Sequence, residues 1–326
     1  MLKVGVVGAS GLVGRNIISI LEEKKFPIKE LKLFASSKSK GKEIYFNNDI
    51  IYIEELNETF LETDFDLVFF AAGSNISEKY IPELMKRGVI SIDNSSFFRM
   101  REDVGLVVPE VNPEDLNINK TLIANPNCST IQSVVALKPL YDKYGIRRII
   151  YSTYQAVSGS GQKGLNDLDT GRSDFYPFQI KGNVIPHIDS FLDNGYSKEE
   201  MKMINETKKI LHDDDLKITA TTVRVPVRVG HSISINVELK SDFDLDDIRE
   251  TLSQFNGIVV VDDVKNNKYP MPIHAEGRDE VFIGRIRRDY STENALNLWV
   301  VADNVRKGAA TNAIQIAEEL LKKGAI

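Results

Sequence analysis

The sequence predicts an α/β protein of two domains, a doubly wound parallel sheet followed by an α+β domain. Three observations predict it. Through the first third, short apolar runs alternate with helical segments, as parallel strands do when crossover helices join them. Asp66-Leu67-Val68-Phe69-Phe70-Ala71 is a continuous apolar run of the kind covered on both faces. Beyond Asn125-Pro126-Asn127 the character changes, and Lys217 to Val223 and Ser232 to Leu239 alternate with period two. The 326 residues also exceed what one core usually holds, roughly 250–300 residues.

In chain order, Leu2 to Val7 reads as a strand and Leu12 to Glu23 as an amphipathic helix. Strands are expected at Leu31 to Ala35, along the 66–71 run, at Val89 to Ile92, Leu106 to Val108 and Leu122 to Ala124, with a helix at Ile76 to Arg87. In the second part, Ser129 to Tyr144 carries Ile131, Val134, Val135, Leu137 and Leu140 at helical spacing, and Ile149 to Tyr154 follows as a strand. Lys217 to Val223 and Ser232 to Leu239 alternate as antiparallel strands with one covered face do. Further strands are expected at Gly257 to Asp262, Val281 to Ile286 and Leu296 to Ala302, and helices at Glu199 to Leu211 and Leu245 to Phe255. A closing helix, Ala309 to Lys323, is expected to return to the first domain. That domain is therefore 1–127 with 309–326, and the second is 128–308.

Hydrophobic residues at 42% and charged residues at 27% describe a globular chain and exclude disordered and collagen-like classes. The net charge of -6, with no concentrated basic stretch, leaves no footprint for nucleic acid. No apolar run approaches the roughly 18 residues a membrane span requires, and the first residues read as a strand rather than a signal peptide, so the expected compartment is the cytoplasm. One cysteine, Cys128, excludes a disulfide framework and a cysteine metal cluster.

Gly8-Ala9-Ser10-Gly11-Leu12-Val13-Gly14 lies between a strand and a helix, the setting of a phosphate-cradling turn, where a pyrophosphate meets exposed helix amides. The first domain is thus read as a Rossmann-like dinucleotide-binding domain. An acidic residue roughly 20 positions past the glycines would bind a ribose 2′-hydroxyl, whereas a 2′-phosphate asks for small donors and a cation. Here stand Ala35-Ser36-Ser37-Lys38-Ser39-Lys40 and no acid, which points to NADP, unless these lysines only solvate a loop.

Cys128 follows Asn125-Pro126-Asn127 at the start of a helix, where free amides and the macrodipole favour a thiolate. A lone cysteine is also often a small buried hydrophobe. Of four histidines, His231 stands at a loop-to-strand junction suited to aim an imidazole into a cleft; His212 beside three aspartates reads as surface, and His187 and His274 as structural or exposed. Arg99, after Asp93-Asn94-Ser95-Ser96, is either an anion-holding fork or a surface arginine. Glu206 and Lys209 share a helix face and form either a site or a simple i,i+3 pair.

Together these motifs, with Gln155 to Gly161, Asn205-Glu206-Thr207-Lys208-Lys209, Arg224 to His231 and Gly308-Ala309-Ala310-Thr311-Asn312, resemble aspartate-semialdehyde dehydrogenases along nearly the whole chain. The resemblance implies NADPH-dependent reductive dephosphorylation of L-aspartyl 4-phosphate to L-aspartate 4-semialdehyde, a step toward lysine, methionine and threonine. It implies Cys128 as nucleophile, His231 as general acid/base and Gln155 as the group orienting the reacting atoms. Glu206 would receive the substrate ammonium, Arg224 its carboxylate, and Arg99 and Lys209, with Asn94, the phosphate. The cofactor would be held by Gly8, Ser10, Gly11, Leu12, Val13 and Gly14, by Ser36, Ser37 and Lys38, by Ser158 and Gly159, and by Asn312 beside the nicotinamide. No metal is implied, and the second domain would also serve dimerisation, in a homodimer or homotetramer. N-acetyl-glutamyl-phosphate reductases share the plan, but an acetylated amine needs no anionic partner, so Glu206 speaks for the aspartyl substrate. A non-catalytic NADP sensor would lack the nucleophile or the base, and both residue types are present.

Overall fold

The computed structural model describes residues 1–326, which form two compact units, Met1–Pro126 with Ala309–Ile326, and Asn127–Gly308. The first unit begins β1 (Leu2–Val7), α1 (Leu12–Glu23), β2 (Ile28–Ala35), β3 (Glu43–Phe46), β4 (Asp49–Glu55), β5 (Leu67–Phe70), α2 (Ser74–Lys86), β6 (Ile90–Asp93), β7 (Gly105–Leu106) and β8 (Leu122–Ala124). Its sheet runs in the order β3-β4-β2-β1-β5-β6-β8-β7, parallel except where β3 pairs antiparallel with β4. All four residues of β5 are buried, as an apolar run in a doubly covered sheet must be.

Alternation along the strands separates two apolar layers. Leu33 and Phe69 point to the layer of Ile17, Ile20 and Leu21 from α1, whereas their neighbours Phe34 and Phe70 meet Phe60 from the other side. Phe60 packs edge-on to Phe34 and to Tyr80 of α2, with centroids 4.9 and 5.6 Å apart.

The second unit contains α3 (Cys128–Tyr144), β9 (Ile146–Gln155), α4 (Gly161–Thr170), α5 (Lys198–Leu211), β10 (Lys217–Arg224), β11 (His231–Leu239), α6 (Leu245–Ser253), β12 (Ile258–Val260), α7 (Pro272–Ala275), β13 (Val281–Arg288) and β14 (Ala295–Ala302). Its strand order is β10-β9-β11-β14-β13-β12. The helix α3 packs against β11 and β14 between α5 and α6, which explains why nearly its whole circumference is buried, polar residues included. After a π-turn at Arg306–Ala310, α8 (Thr311–Lys322) belongs to the first unit and lays Ala313, Ile316, Ala317 and Leu320 into the core shared with α1.

The structure differs from expectation at β10, at the β3–β4 hairpin, at α4 and at the short α7. The strand β10 is parallel to its one neighbour, β9, not antiparallel; alternation reports which face is covered, and the helical crossover through α4 and α5 sets the direction. The β3–β4 hairpin was unforeseen, although Asn47-Asn48 between the strands adopts φ 51° and 68°, the left-handed pair of a tight hairpin turn. The helix α4 was also unforeseen, because Gly161, Gly164, Asn166 and Asp167 give it little intrinsic propensity. A side chain at position 164 would lie 2.6 Å from both the Tyr176 hydroxyl and the Val157 carbonyl.

Candidate active site

Cys128 is the first residue of α3 and is partly exposed. The preceding residue, Asn127, caps the helix through its side-chain oxygen, which accepts from the N–H groups of Ser129 at 2.9 Å and Thr130 at 3.3 Å. Two carboxylates of α5, two turns apart, hold Asn127 in place. Glu206 Oε2 accepts its backbone N–H at 2.7 Å, and Glu199 Oε1 accepts its side-chain amide at 2.9 Å. Gly308 lies against the cysteine, where a Cβ would stand 2.9 Å from Cys128 Cβ.

Glu199 is the junction of the site. The same Oε1 accepts the side-chain amide of Gln155, at the end of β9, at 3.0 Å, while Oε2 pairs with Lys202 at 3.2 Å. Lys202 in turn reaches Asp189 at 2.8 Å. Burial pushes the Glu199 carboxyl upward, but Lys202, the two amides and Arg224 together hold it below the usual glutamate range, so it is an anion. The Gln155 side-chain oxygen accepts from Thr153 at 3.0 Å, which leaves the amide no freedom to flip.

His231 opens β11 and is fully buried. Its Nδ1 accepts the backbone N–H of Ala156 at 3.0 Å, which places the ring proton on Nε2, and Nε2 bonds no protein group. Burial, then the Arg224 charge, hold this imidazole well below its ordinary 6.5, so it is neutral. Arg224 ends β10, buried, with Nη1 donating to Ala156 O at 2.6 Å and Nε without a protein acceptor. Ala156 thus holds the imidazole through its N–H and the guanidinium through its carbonyl. Gly159 closes against both: a Cβ there would meet Arg224 Nη1 at 3.0 Å and the His231 ring at 3.3 Å. Next to it, Ser158 bonds Asn304, whose Oδ1 accepts the N–H of Gly230, the residue before His231.

In the first unit, Gly8 has φ +89° and sits so close to β5's end that a Cβ would stand 2.4 Å from Ala71 O. A Cβ on Gly14 would meet Gly8 O at 2.2 Å, so the turn and α1 close on each other only with glycine. No side chain caps α1, whose first amides therefore face outward, with Ser10, Leu12 and Val13 around them. Beyond β2, Ser36, Ser37 and Lys38 are exposed, whereas Lys40 pairs with Glu55 at 3.6 Å. Arg99 is buried rather than a surface residue, with Nε on Asn125 O at 2.9 Å and Nη2 on Asn94 O at 2.8 Å. Asn312 is buried at the start of α8 and donates to Asn125 Oδ1 at 2.7 Å.

The second unit therefore brings together Cys128, Gln155, Arg224, His231, Ser158 and Gly159, and the first gathers Arg99, Asn94 and Asn312. Of the α5 pair expected from sequence, Glu206 clamps the Asn127 backbone and Lys209 lies half-buried one turn on. Sequence reading passed over Glu199, Lys202, Asn127, Ala156 and Asn304. Glu199-Glu200-Met201-Lys202 had the same acid–cation spacing as Glu206 and Lys209, and Ala156 acts only through its backbone.

Comparison with known proteins covers the whole chain. Residues 3–118 match the family described as "Semialdehyde dehydrogenase, NAD binding domain" and residues 137–307 "Semialdehyde dehydrogenase, dimerisation domain". The chain is 51% identical to "Aspartate-semialdehyde dehydrogenase" of Aquifex aeolicus over 99% of both sequences, and 44% identical to that of Bacillus subtilis over 98% of both. Its fold superposes on the crystal structure of aspartate semialdehyde dehydrogenase II from Vibrio cholerae with a TM-score of 0.94 and 43% identity, covering 99% of each chain. The same enzyme complexed with ASA also gives 0.94. A Candida albicans aspartate semialdehyde dehydrogenase with NADP gives 0.79 at 27% identity over all of both chains.

Proposed function

The chain belongs to the aspartate-semialdehyde dehydrogenase family, and we propose that it reduces L-aspartyl 4-phosphate to L-aspartate 4-semialdehyde, reversibly, through a thioester on Cys128. The observation that carries this reading is the tie from one buried carboxylate, Glu199, to both Asn127, which caps the helix under the cysteine, and Gln155.

The Cys128 thiolate attacks the acyl carbon, the bond to the phosphate oxygen breaks, and phosphate leaves a thioester. When bound, NADPH supplies a hydride to that carbon. Collapse of the resulting thiohemiacetal re-forms the carbonyl and returns the thiolate. Neutral His231, with its proton on Nε2, donates to the oxygen on which charge develops and takes the proton back as the carbonyl re-forms. Gln155, locked by Glu199 and Thr153, orients the reacting carbonyl.

An α-amino acid needs an anion and a cation side by side. Glu199 and Arg224 supply them, close enough for the guanidinium to hold the carboxyl down. Glu199, the carboxylate whose charge Arg224 stabilises, is therefore given the ammonium role expected of Glu206. Lys202, on Glu199, is given the phosphate role expected of Lys209, and Arg99 and Asn94 of the first unit keep theirs.

The residues of the first unit fit a dinucleotide: a turn closed so tightly that a Cβ at Gly8 or Gly14 would strike backbone, and first amides of α1 with no side-chain cap. Exposed Ser36, Ser37 and Lys38, without an acid, suit the 2′-phosphate of NADP. Ser158, Gly159 and Asn312 complete the cofactor set of this reading. The match to a dimerisation domain supports a homodimer or homotetramer, with Tyr154, Ser234 and Trp299 on the sheet face turned away from α3 as the contact. No helix is long and apolar enough to cross a membrane, and the enzyme is assigned to the cytoplasm.

The deciding experiment is NADP+ reduction with L-aspartate semialdehyde, with and without inorganic phosphate. Turnover that requires phosphate and disappears in Cys128→Ala, while NADP+ binding persists, supports the reading. Activity near wild type in Cys128→Ala overturns it.

A further inference from the structure

Asn125, one residue past β8, is 1% exposed and uses every polar group it has. Its side-chain amide donates to Asn94 Oδ1 at 2.7 Å and to Ala309 O at 3.0 Å, and its Oδ1 accepts Asn312 Nδ2 at 2.7 Å. Its backbone carbonyl accepts Arg99 Nε at 2.9 Å, and its N–H donates to Asp93 O at 2.8 Å. The far ends are anchored too: Asn94 Nδ2 donates to Phe70 O at 3.1 Å, Asn312 Nδ2 to Val107 O at 2.9 Å, and Arg99 Nη2 to Asn94 O at 2.8 Å.

Only asparagine serves this position. Two donors and an acceptor at the end of one methylene are all in use; aspartate offers no donor, glutamine overreaches, and alanine leaves buried groups of Asn94, Ala309 and Asn312 without their partner. A chain of amides in which each oxygen faces the next nitrogen has one self-consistent orientation, so turning any member turns the rest.

We infer that Asn125 is a positioning residue that couples Arg99 and Asn94 to Asn312, making the grip on phosphate and the placement of the nicotinamide side interdependent. The inference rests on the proposed roles of Arg99, Asn94 and Asn312. Asn125 touches no substrate; it acts through its three neighbours.

The test is steady-state kinetics of the full-length enzyme, varying phosphate and NADP+ separately. Asn94 and Asn312 are bridged by Asn125, so Asn94→Ala and Asn312→Ala should be coupled. The double variant should depart from the product of the single effects on kcat/KM for phosphate by about fivefold or more. Asn125→Asp keeps the acceptor for Asn312 and removes both donors, so KM for phosphate should rise about tenfold while KM for NADP+ stays within about threefold. Multiplicative effects in the Asn94/Asn312 cycle, or an Asn125→Asp enzyme with both KM values unchanged, overturn the coupling. The cycle leaves Asn125 intact and decides the matter even if Asn125→Asp does not fold. Arg99→Met separates the two layers: an unchanged KM for phosphate removes the anion role and the inference with it, whereas a raised KM beside an additive cycle removes the coupling alone.

Discussion

The backbone N–H of Ala156 donates to Nδ1 of His231 at 3.0 Å, and this one bond decides which nitrogen of the buried imidazole carries the proton. A main-chain donor cannot be titrated away, so the tautomer persists across the working pH range.

Burial and Arg224 hold His231 well below 6.5, so kcat should stay level as pH falls through 6.5. The same shift has a stability consequence. The imidazole is neutral in the fold but protonated in the unfolded chain below 6.5, so its contribution is whole above that pH and is lost as pH falls toward the lowered native value. Urea midpoints from pH 8 to 5 should decline more steeply in the wild type than in His231→Asn. An acid limb in kcat centred near 6.5 and abolished by that substitution would contradict the neutral assignment.

Glu199 and Glu206 are separable by amide substitution. Glu206→Gln still offers an oxygen to the Asn127 N–H and should lower kcat/KM by less than Glu199→Gln does. Glu199→Gln removes the anion shared by Lys202 and Gln155, and should lower kcat/KM for aspartate semialdehyde by roughly 10²-fold. Equal losses in the two variants would return the ammonium role to Glu206.

Gly159→Ala would bring a methyl group 3.0 Å from Arg224 Nη1 and 3.3 Å from the His231 ring. Displacing both groups by a few tenths of an ångström should reduce kcat about tenfold or more, with the melting temperature nearly unchanged. Wild-type kcat in this variant would show that neither group needs its observed place.

Cofactor choice should follow the stretch beyond β2. Ser36→Asp sets a carboxylate where a 2′-phosphate is proposed to lie, and should raise KM for NADP+ at least about tenfold through like-charge repulsion, with KM for NAD+ unchanged or improved. Unaltered KM for NADP+ would move the phosphate site elsewhere.

Much of this molecule was legible before folding, because its signals are local. Glycines at 8, 11 and 14 between a strand and a helix mark a phosphate-cradling turn, the unbroken Leu67–Phe70 run marks a doubly covered strand, and Cys128 after Asn125-Pro126-Asn127 marks a helix start. Hydrophobic period and turn chemistry act over a few residues, so a one-dimensional reading captures them. The tertiary structure alone decided four matters, each a question of what lies alongside. Glu199 and Glu206 are seven residues apart, close to two full helical turns, and share one face of α5; where that helix crosses the end of β9 selects Glu199 as the partner of Gln155. The direction of β10 follows from the crossover before it, not from its alternation. The proton on His231 Nε2 and the amide chain through Asn125 come from main-chain and side-chain partners distant in sequence, a relation that spacing does not encode.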